Sequence, residues 1–142
     1  MNPMQLKLCD IQGRLFEMSS DMKLSSKSFI ESFMKSEVAR NLDSVYNRMQ
    51  WAGEEYLMEE LLDNCDIKKS DELFPKEVMY WTGYIYRYWS ISQKESSRNI
   101  LNVASPATMR RNYLMFHTMD PEMAIEDLKE INRQKKSKWQ IL

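Results

Sequence analysis

Apolar residues recur at steps of three and four along most of this chain, and short polar segments separate the apolar runs. This spacing places apolar side chains on one face of an α-helix, whereas a half-buried β-strand alternates at every second residue. Glycine, which sharp turns favour, occurs only three times in 142 residues. The pattern therefore predicts an all-α fold, a compact bundle of five to seven helices in a single domain that covers residues 1–142.

The N-terminal segment, residues 1–24, is predicted to form an amphipathic helix. Asn2 is a preferred helix cap, and Pro3 suits the first helical position. The apolar side chains of this helix form a heptad-like seam, which packs either on this domain or on a second copy of the chain. A homodimer is expected to use the first part of the seam, which consists of Met4, Leu8, Ile11 and Leu15.

Two further helices are predicted before residue 64. Ser26 or Ser28 caps the first, which continues through residue 43, and Asp43 caps the second, which continues through residue 63. The second helix carries apolar residues on two sides, including Trp51 and Tyr56. A helix of that kind is usually central in a bundle.

Three more helix starts are marked in the C-terminal part of the chain by a capping residue, followed in two cases by proline. They are Ser96 or Ser97, Ser105-Pro106 and Asp120-Pro121. The last segment, residues 136–142, is a basic tail with one tryptophan and is expected to fray.

The segment YWTGYIYRYW, residues 80–89, contains six aromatic residues among ten. Pro75 and Glu77 mark a helix start before it. A β-hairpin that turns at residues 82–83 is the alternative, because tyrosine and tryptophan favour strands. Thr-Gly is a poorer hairpin turn than Asn-Gly, so the helix is the preferred interpretation. The side of this helix that is expected to face the core includes Trp81, Ile85 and Trp89.

Other residues of the same helix lie off the core side and form a candidate partner-binding site, which consists of Tyr80, Tyr84 and Arg87. Tyrosine and arginine are enriched at the hot spots of protein interfaces. The alternative is that all six aromatic side chains are buried between helices, with Gly83 permitting close packing.

Residues 96–117 are similar to a helix-turn-helix, because a short helix, a short turn and a second helix follow one another. The second helix begins with residue types that contact bases and phosphates. The absence of glycine from the turn and the net charge of −1 argue against DNA binding. A DNA-binding regulator is therefore the alternative to a protein-interaction module. Its candidate nucleic-acid site consists of Thr108, Arg110, Arg111 and Asn112.

Charge is distributed unevenly along the chain. Residues 1–92 carry eleven Lys or Arg and fifteen Asp or Glu, whereas residues 93–142 carry nine and six. This asymmetry hints at a basic partner on one side and an acidic partner on the other, although solvated helix faces produce the same pattern.

Cysteine usage and hydropathy indicate a cytoplasmic protein without a membrane span. Cys9 and Cys65 are far apart and lack metal-ligand spacing, so we interpret them as reduced thiols. No apolar run is as long as a membrane helix requires, and no secretory signal is visible.

The chain lacks a recognisable catalytic constellation, so we expect neither an enzyme nor a cofactor or metal site. His117 is the single histidine, and no serine or cysteine is identifiably paired with it. We expect His117 to hydrogen-bond Asp120 at a helix end. The three glycines are isolated, so there is no phosphate-binding loop.

Four segments, FIESFMKSEVARNLD, MQWAGEEYLMEELL, YWTGYIYRYW and NYLMFHTMDPEMAIEDL, together resemble a family of small helical proteins of Firmicutes and related gut bacteria. Its members are similar to the antitoxin-side component of compact loci that also encode an ADP-ribosyltransferase-like toxin. The resemblance extends from about Phe29 to Leu128 and carries no catalytic residues. It implies a cytoplasmic, partner-binding protein whose partner is a toxin.

Overall fold

In this computed structural model the described residues are 1–44 and 48–141, with side chains described at all of these positions except 48, 49 and 139–141. They contain no β-strand, only an isolated bridge between Leu24 and Lys69. The all-α prediction is confirmed, and the helix count is one above the expected range. The described residues form a short 3-10 helix, Arg48–Trp51, and eight α-helices: α1 (Pro3–Asp21), α2 (Ser26–Met34), α3 (Glu37–Asp43), α4 (Glu54–Asn64), α5 (Lys76–Gln93), α6 (Ser97–Val103), α7 (Pro106–Phe116) and α8 (Pro121–Ile141).

The single helix expected up to residue 43 is divided in two at Ser36. The Ser36 hydroxyl donates to the carbonyl oxygen of Phe33 at 2.6 Å and accepts the backbone N–H of Ala39 at 3.1 Å. It therefore ends α2 and caps α3. The cap of α2 is Ser25, not Ser26 or Ser28 as expected, since its side chain accepts the backbone N–H of Ser28.

The helix expected to begin at Asp43 was predicted wrongly. Asp43 is the last residue of α3, and α4 begins only at Glu54, after Gly53. Trp51 is 74% exposed and Tyr56 is 49% exposed, so this segment lies at the periphery of the bundle rather than at its centre. Residues 45–47 of the expected helix lie outside the described residues.

The predicted starts of the last four helices are confirmed. Pro75 is the N-cap of α5, and the side chains of Ser96 and Ser105 accept the backbone N–H groups that cap α6 and α7. The hairpin alternative is wrong because residues 82–83 lie inside α5. The C-terminal tail is helical as far as Ile141. No helix in the described part of the chain is long and apolar enough to cross a lipid bilayer.

Helices α1 and α5 pack against each other along most of their lengths, in antiparallel orientation. Lys76 Nζ, at the start of α5, lies 2.8 Å from Asp21 Oδ1, at the end of α1. At the centre of the pair, a Cβ atom added at Gly83 would lie 2.6 Å from the carbonyl oxygen of Gln12 and 2.8 Å from the Phe16 ring. Only glycine permits this approach of the two backbones.

The seam predicted on α1 is not an exposed surface. Leu8 and Leu15 are buried, Ile11 is half-buried against the core, and only Met4 is exposed. Two of the four side chains expected in a homodimer are therefore already used in the interior of one chain. The seam was read correctly as an apolar face, but the bundle itself covers it.

The core contains aromatic and aliphatic side chains from all eight α-helices. Phe16 packs edge-on against Phe29 and Phe33, with ring centroids 5.2 and 5.3 Å apart. The predicted core side of α5 is confirmed. Its members Trp81, Ile85 and Trp89 are all buried.

Gly83→Ala tests the close approach of α1 and α5. Alanine is the better helix former by about 1 kcal/mol, so the substitution stabilises an unconstrained helix. Here we expect it to destabilise the protein by about 1–3 kcal/mol, because the new methyl group meets backbone atoms of α1. Thermal and urea unfolding followed by circular dichroism measure the change.

Gly53→Ala is the matched control, since an added Cβ there meets only the flexible Glu55 side chain, at 3.5 Å. We expect a change of less than about 1 kcal/mol. A Gly83→Ala variant as stable as the wild type contradicts the packing described above.

Candidate functional site

Arg87, a member of the partner-binding site expected from the sequence, is fully buried. Its guanidinium donates to Gln12 Oε1 at 2.8 Å, to Asp43 Oδ1 at 2.7 Å and to Ser97 Oγ at 3.2 Å. The expectation that Arg87 lies on an exposed face is wrong. Helix α1 covers that face, because Gly83 one turn earlier lets the two backbones meet.

Asp43 is the carboxylate that compensates the buried charge. Besides Arg87 it accepts the backbone N–H of Ser97 at 2.8 Å, the Ser97 hydroxyl at 2.7 Å and the Ser90 hydroxyl at 3.1 Å. Burial lowers the pKa of Arg87, and the charge of Asp43 opposes that effect. Arginine remains protonated in proteins, so this arrangement is a structural ion pair rather than a proton donor.

Tyr80 and Tyr84, the other members of that expected site, form a strip with Tyr88 along one side of α5. Their ring centroids are 6.0 and 6.3 Å apart, and all three side chains are half-buried. The Tyr80 hydroxyl donates to Asp10 Oδ1 at 2.5 Å. Burial, followed by that hydrogen bond, raises the pKa of Tyr80 above its ordinary value. The tyrosine strip is therefore partly accessible to solvent. Arg87, the third member of the expected site, is buried and is not part of this accessible surface.

The four residues of the expected nucleic-acid site are not equally accessible. Thr108 is buried, and the Asn112 side chain donates to the carbonyl oxygen of Thr108 at 2.8 Å. Arg110 and Arg111 are exposed. Of the four, only the two arginines are therefore exposed to a phosphate or to any other charged group.

The outer side of α7 carries two large apolar side chains in solvent. Leu114 is 81% exposed and Met115 is 70% exposed, whereas Met109 and Phe116 of the same helix are buried. On a helix, positions four apart lie one above the other. Leu114 follows Arg110 at this spacing, and Met115 follows Arg111. We call these residues, Arg110, Arg111, Leu114 and Met115, the α7 surface.

The two arginines of the α7 surface have no carboxylate within salt-bridge distance among the described residues. The guanidinium of Arg110 instead lies 4.8 Å from the centroid of the Phe74 ring. Among the other exposed arginines, Arg14 and Arg133 are each paired with an acid on their own helix, whereas Arg40 and Arg98 have no salt bridge among the described residues. The α7 surface thus combines apolar side chains with uncompensated positive charge.

A groove of about 880 Å³ adjoins the α7 surface. One wall is the start of α7, from Ser105 to Arg111, and the opposite side includes Ser25, Lys27 and Phe74. Helices α6 and α7 each pack on α2 and α5. The beginning of α7 therefore borders other parts of the chain. A recognition helix needs its first residues free to contact bases in the major groove, so this position argues against that role.

Leu114 and Met115 were not singled out from the sequence, although the signal was present. Successive helical residues are rotated by about 100°, so the buried positions of α7 define one side of the helix. Leu114 and Met115 fall on the opposite side, together with the two arginines. An apolar pair on the charged side of a helix is the pattern that identifies this surface.

His117 stacks on Tyr113, with ring centroids 4.3 Å apart, and its Nδ1 lies 2.8 Å from the Tyr113 carbonyl oxygen. This contact replaces the expected bond to Asp120, whose side chain accepts the backbone N–H of Glu122. Within residues 1–44 and 48–141, no three His, Cys, Asp or Glu side chains are grouped as metal ligands.

Comparison of the chain with protein-family models, curated proteins and solved structures finds no match.

Arg87→Ala tests the structural role of the buried ion pair. The substitution leaves Asp43 largely buried without its counter-charge, so we expect a loss of about 3–5 kcal/mol in the free energy of unfolding. Arg111→Ala is the control, since an exposed and unpaired arginine changes stability by about 0.5 kcal/mol or less. Urea unfolding distinguishes the two. Equal stability of the two variants contradicts the role assigned to Arg87.

The thiols provide a second test of burial. Burial raises the pKa of Cys9 to about 12, so its reactive thiolate is scarce at about pH 8. Cys65 is half-buried. We expect one thiol of the native protein to react rapidly with a disulfide reagent, and both to react in denaturant. Rapid reaction of two thiols in the native protein contradicts the position of Cys9.

Proposed function

We propose that this protein is a non-enzymatic interaction module that binds another protein through the α7 surface. The observation that carries the proposal is the exposure of two consecutive large apolar residues, Leu114 and Met115, on α7. Burying one such side chain contributes about 1.5–3 kcal/mol, so two adjacent ones supply a substantial part of a binding free energy.

The composition of the α7 surface supports a protein partner. Isolated apolar residues are ordinary on a protein surface, but a group of them next to charged residues is typical of an interaction site. Methionine and arginine are both enriched in protein interfaces. The tyrosine strip of α5 is a secondary contact surface within the same proposal, because its three rings remain partly accessible.

The narrower hypothesis is that the partner is a toxin and the protein its antitoxin. It rests on the resemblance of the four sequence segments alone. We also infer a cytoplasmic location, where Cys9 and Cys65, which are free in the structure, stay reduced. DNA binding is the second candidate function, favoured by the exposure and the unpaired charge of Arg110 and Arg111.

Affinity purification of tagged variants from the native host tests the proposal. We expect the wild-type chain to retain one stoichiometric protein, and the double substitution Leu114→Ser, Met115→Ser to lose it, because the apolar contact is removed. Tyr56→Ser is the matched control, since it removes an exposed aromatic residue from a different helix. Circular dichroism verifies that both variants are folded.

A wild-type chain that retains no stoichiometric protein overturns the proposal. A partner that the double variant retains as well as the wild type overturns the assignment to the α7 surface.

A further inference from the structure

We propose that the α7 surface and the adjoining groove receive an acidic amphipathic helix of the partner. The partner helix presents apolar side chains to Leu114 and Met115, and carboxylates to Arg110 and Arg111. This inference rests on the proposed function and adds the chemistry of the partner segment.

The charge of the site favours carboxylates. Arg110 and Arg111 have no carboxylate partner among the described residues, and Lys27 adds a third positive charge at the groove. The carboxylates that line the groove are Glu31 and Glu72. Neither is within salt-bridge distance of the three cations, so the positive charge next to the apolar pair is left for a ligand. Arginine suits this role because its planar fork binds a carboxylate through two hydrogen bonds.

The shape of the site favours a helix. The described residues contain no β-strand, so they offer no sheet edge to which an extended peptide adds. The apolar and charged positions of the α7 surface follow helical spacing, which matches a partner with anchors at every third and fourth residue. The groove shares Arg110 and Arg111 with the α7 surface, so a helix on that surface would lie beside the groove.

The apolar pair also favours a protein over a nucleic acid. Most hydrogen bonds between proteins and DNA go to phosphate and sugar oxygens, and the apolar side chains of Leu114 and Met115 form no such bonds. Thr108 is buried, so it does not reach a base edge. Nucleic acid binding is therefore the competing outcome in the experiment below.

The test uses the full chain and two labelled peptides of about four helical turns. Both peptides carry leucine along one face. One carries glutamate at the flanking positions, and the other carries lysine. Fluorescence anisotropy gives their affinities at about 0.1 M and about 1 M salt, where the Debye length falls from about 10 Å to about 3 Å. Duplex DNA is the third probe.

We expect the wild-type chain to bind the glutamate peptide about tenfold more tightly than the lysine peptide at low salt, and this preference to shrink at high salt. The double substitution Arg110→Glu, Arg111→Glu should reverse the preference. Lys7→Glu, Arg40→Glu is the matched control, because it makes the same change of charge at two exposed cations of α1 and α3 that do not line the groove, and it should preserve the preference.

Equal affinities for the two peptides, a preference for lysine, or no peptide binding at all overturns the inference. Retardation of DNA that depends on Arg110 and Arg111, without binding of the glutamate peptide, assigns the surface to nucleic acid instead. If the native partner is lost from the Leu114→Ser, Met115→Ser chain but retained by the arginine variant, the partner chemistry is wrong and the proposed function stands.

Discussion

Arg87 carries a positive charge into the interior of the protein, and four helices are arranged around its hydrogen bonds. Its partners Gln12, Asp43 and Ser97 are 75, 44 and 10 residues away along the chain. A buried charge costs several kcal/mol unless its counter-charge and hydrogen bonds are in place. The arrangement of α1, α3, α5 and α6 is therefore coupled to one side chain. Gly83 makes this possible, because its missing side chain allows Gln12 to approach.

This constraint also determines which surfaces remain for binding. The face of α5 that carries Arg87 is covered by α1, and the tyrosine strip on its side is half-buried. Helix α7 is packed on one side only. Its outer side leaves Leu114 and Met115 in solvent, beside arginines that lack the acid partners given to Arg87 and Arg133. We therefore propose an interaction site on α7 rather than on the aromatic helix.

Local signals in the sequence predicted most of the helices but not the contacts between them. A serine or aspartate followed by proline defines a helix start, because its side chain accepts backbone N–H groups of the first turn, so α7 and α8 were recognisable. Asp43 was misread and Ser36 was overlooked, because a serine or aspartate within a polar segment is equally suited to end a helix, to begin one or to bind a distant arginine. The helical period placed Arg87 opposite the core side correctly, but it does not reveal that α1 covers this side. The same helical period could have identified Leu114 and Met115 as exposed, because both lie off the apolar stripe of α7.

Oxidative labelling of the methionines, in the free protein and in its complex with the native partner, tests the central claim most directly. Exposed methionines are oxidised faster than buried ones, and mass spectrometry follows each position separately. Met4 and Met115 are exposed on different helices, whereas Met79 is buried. We predict rapid labelling of Met4 and Met115 in the free protein, and selective protection of Met115 in the complex. Equal labelling of Met115 in both states, or protection of Met4 instead, contradicts the assignment of the partner to α7.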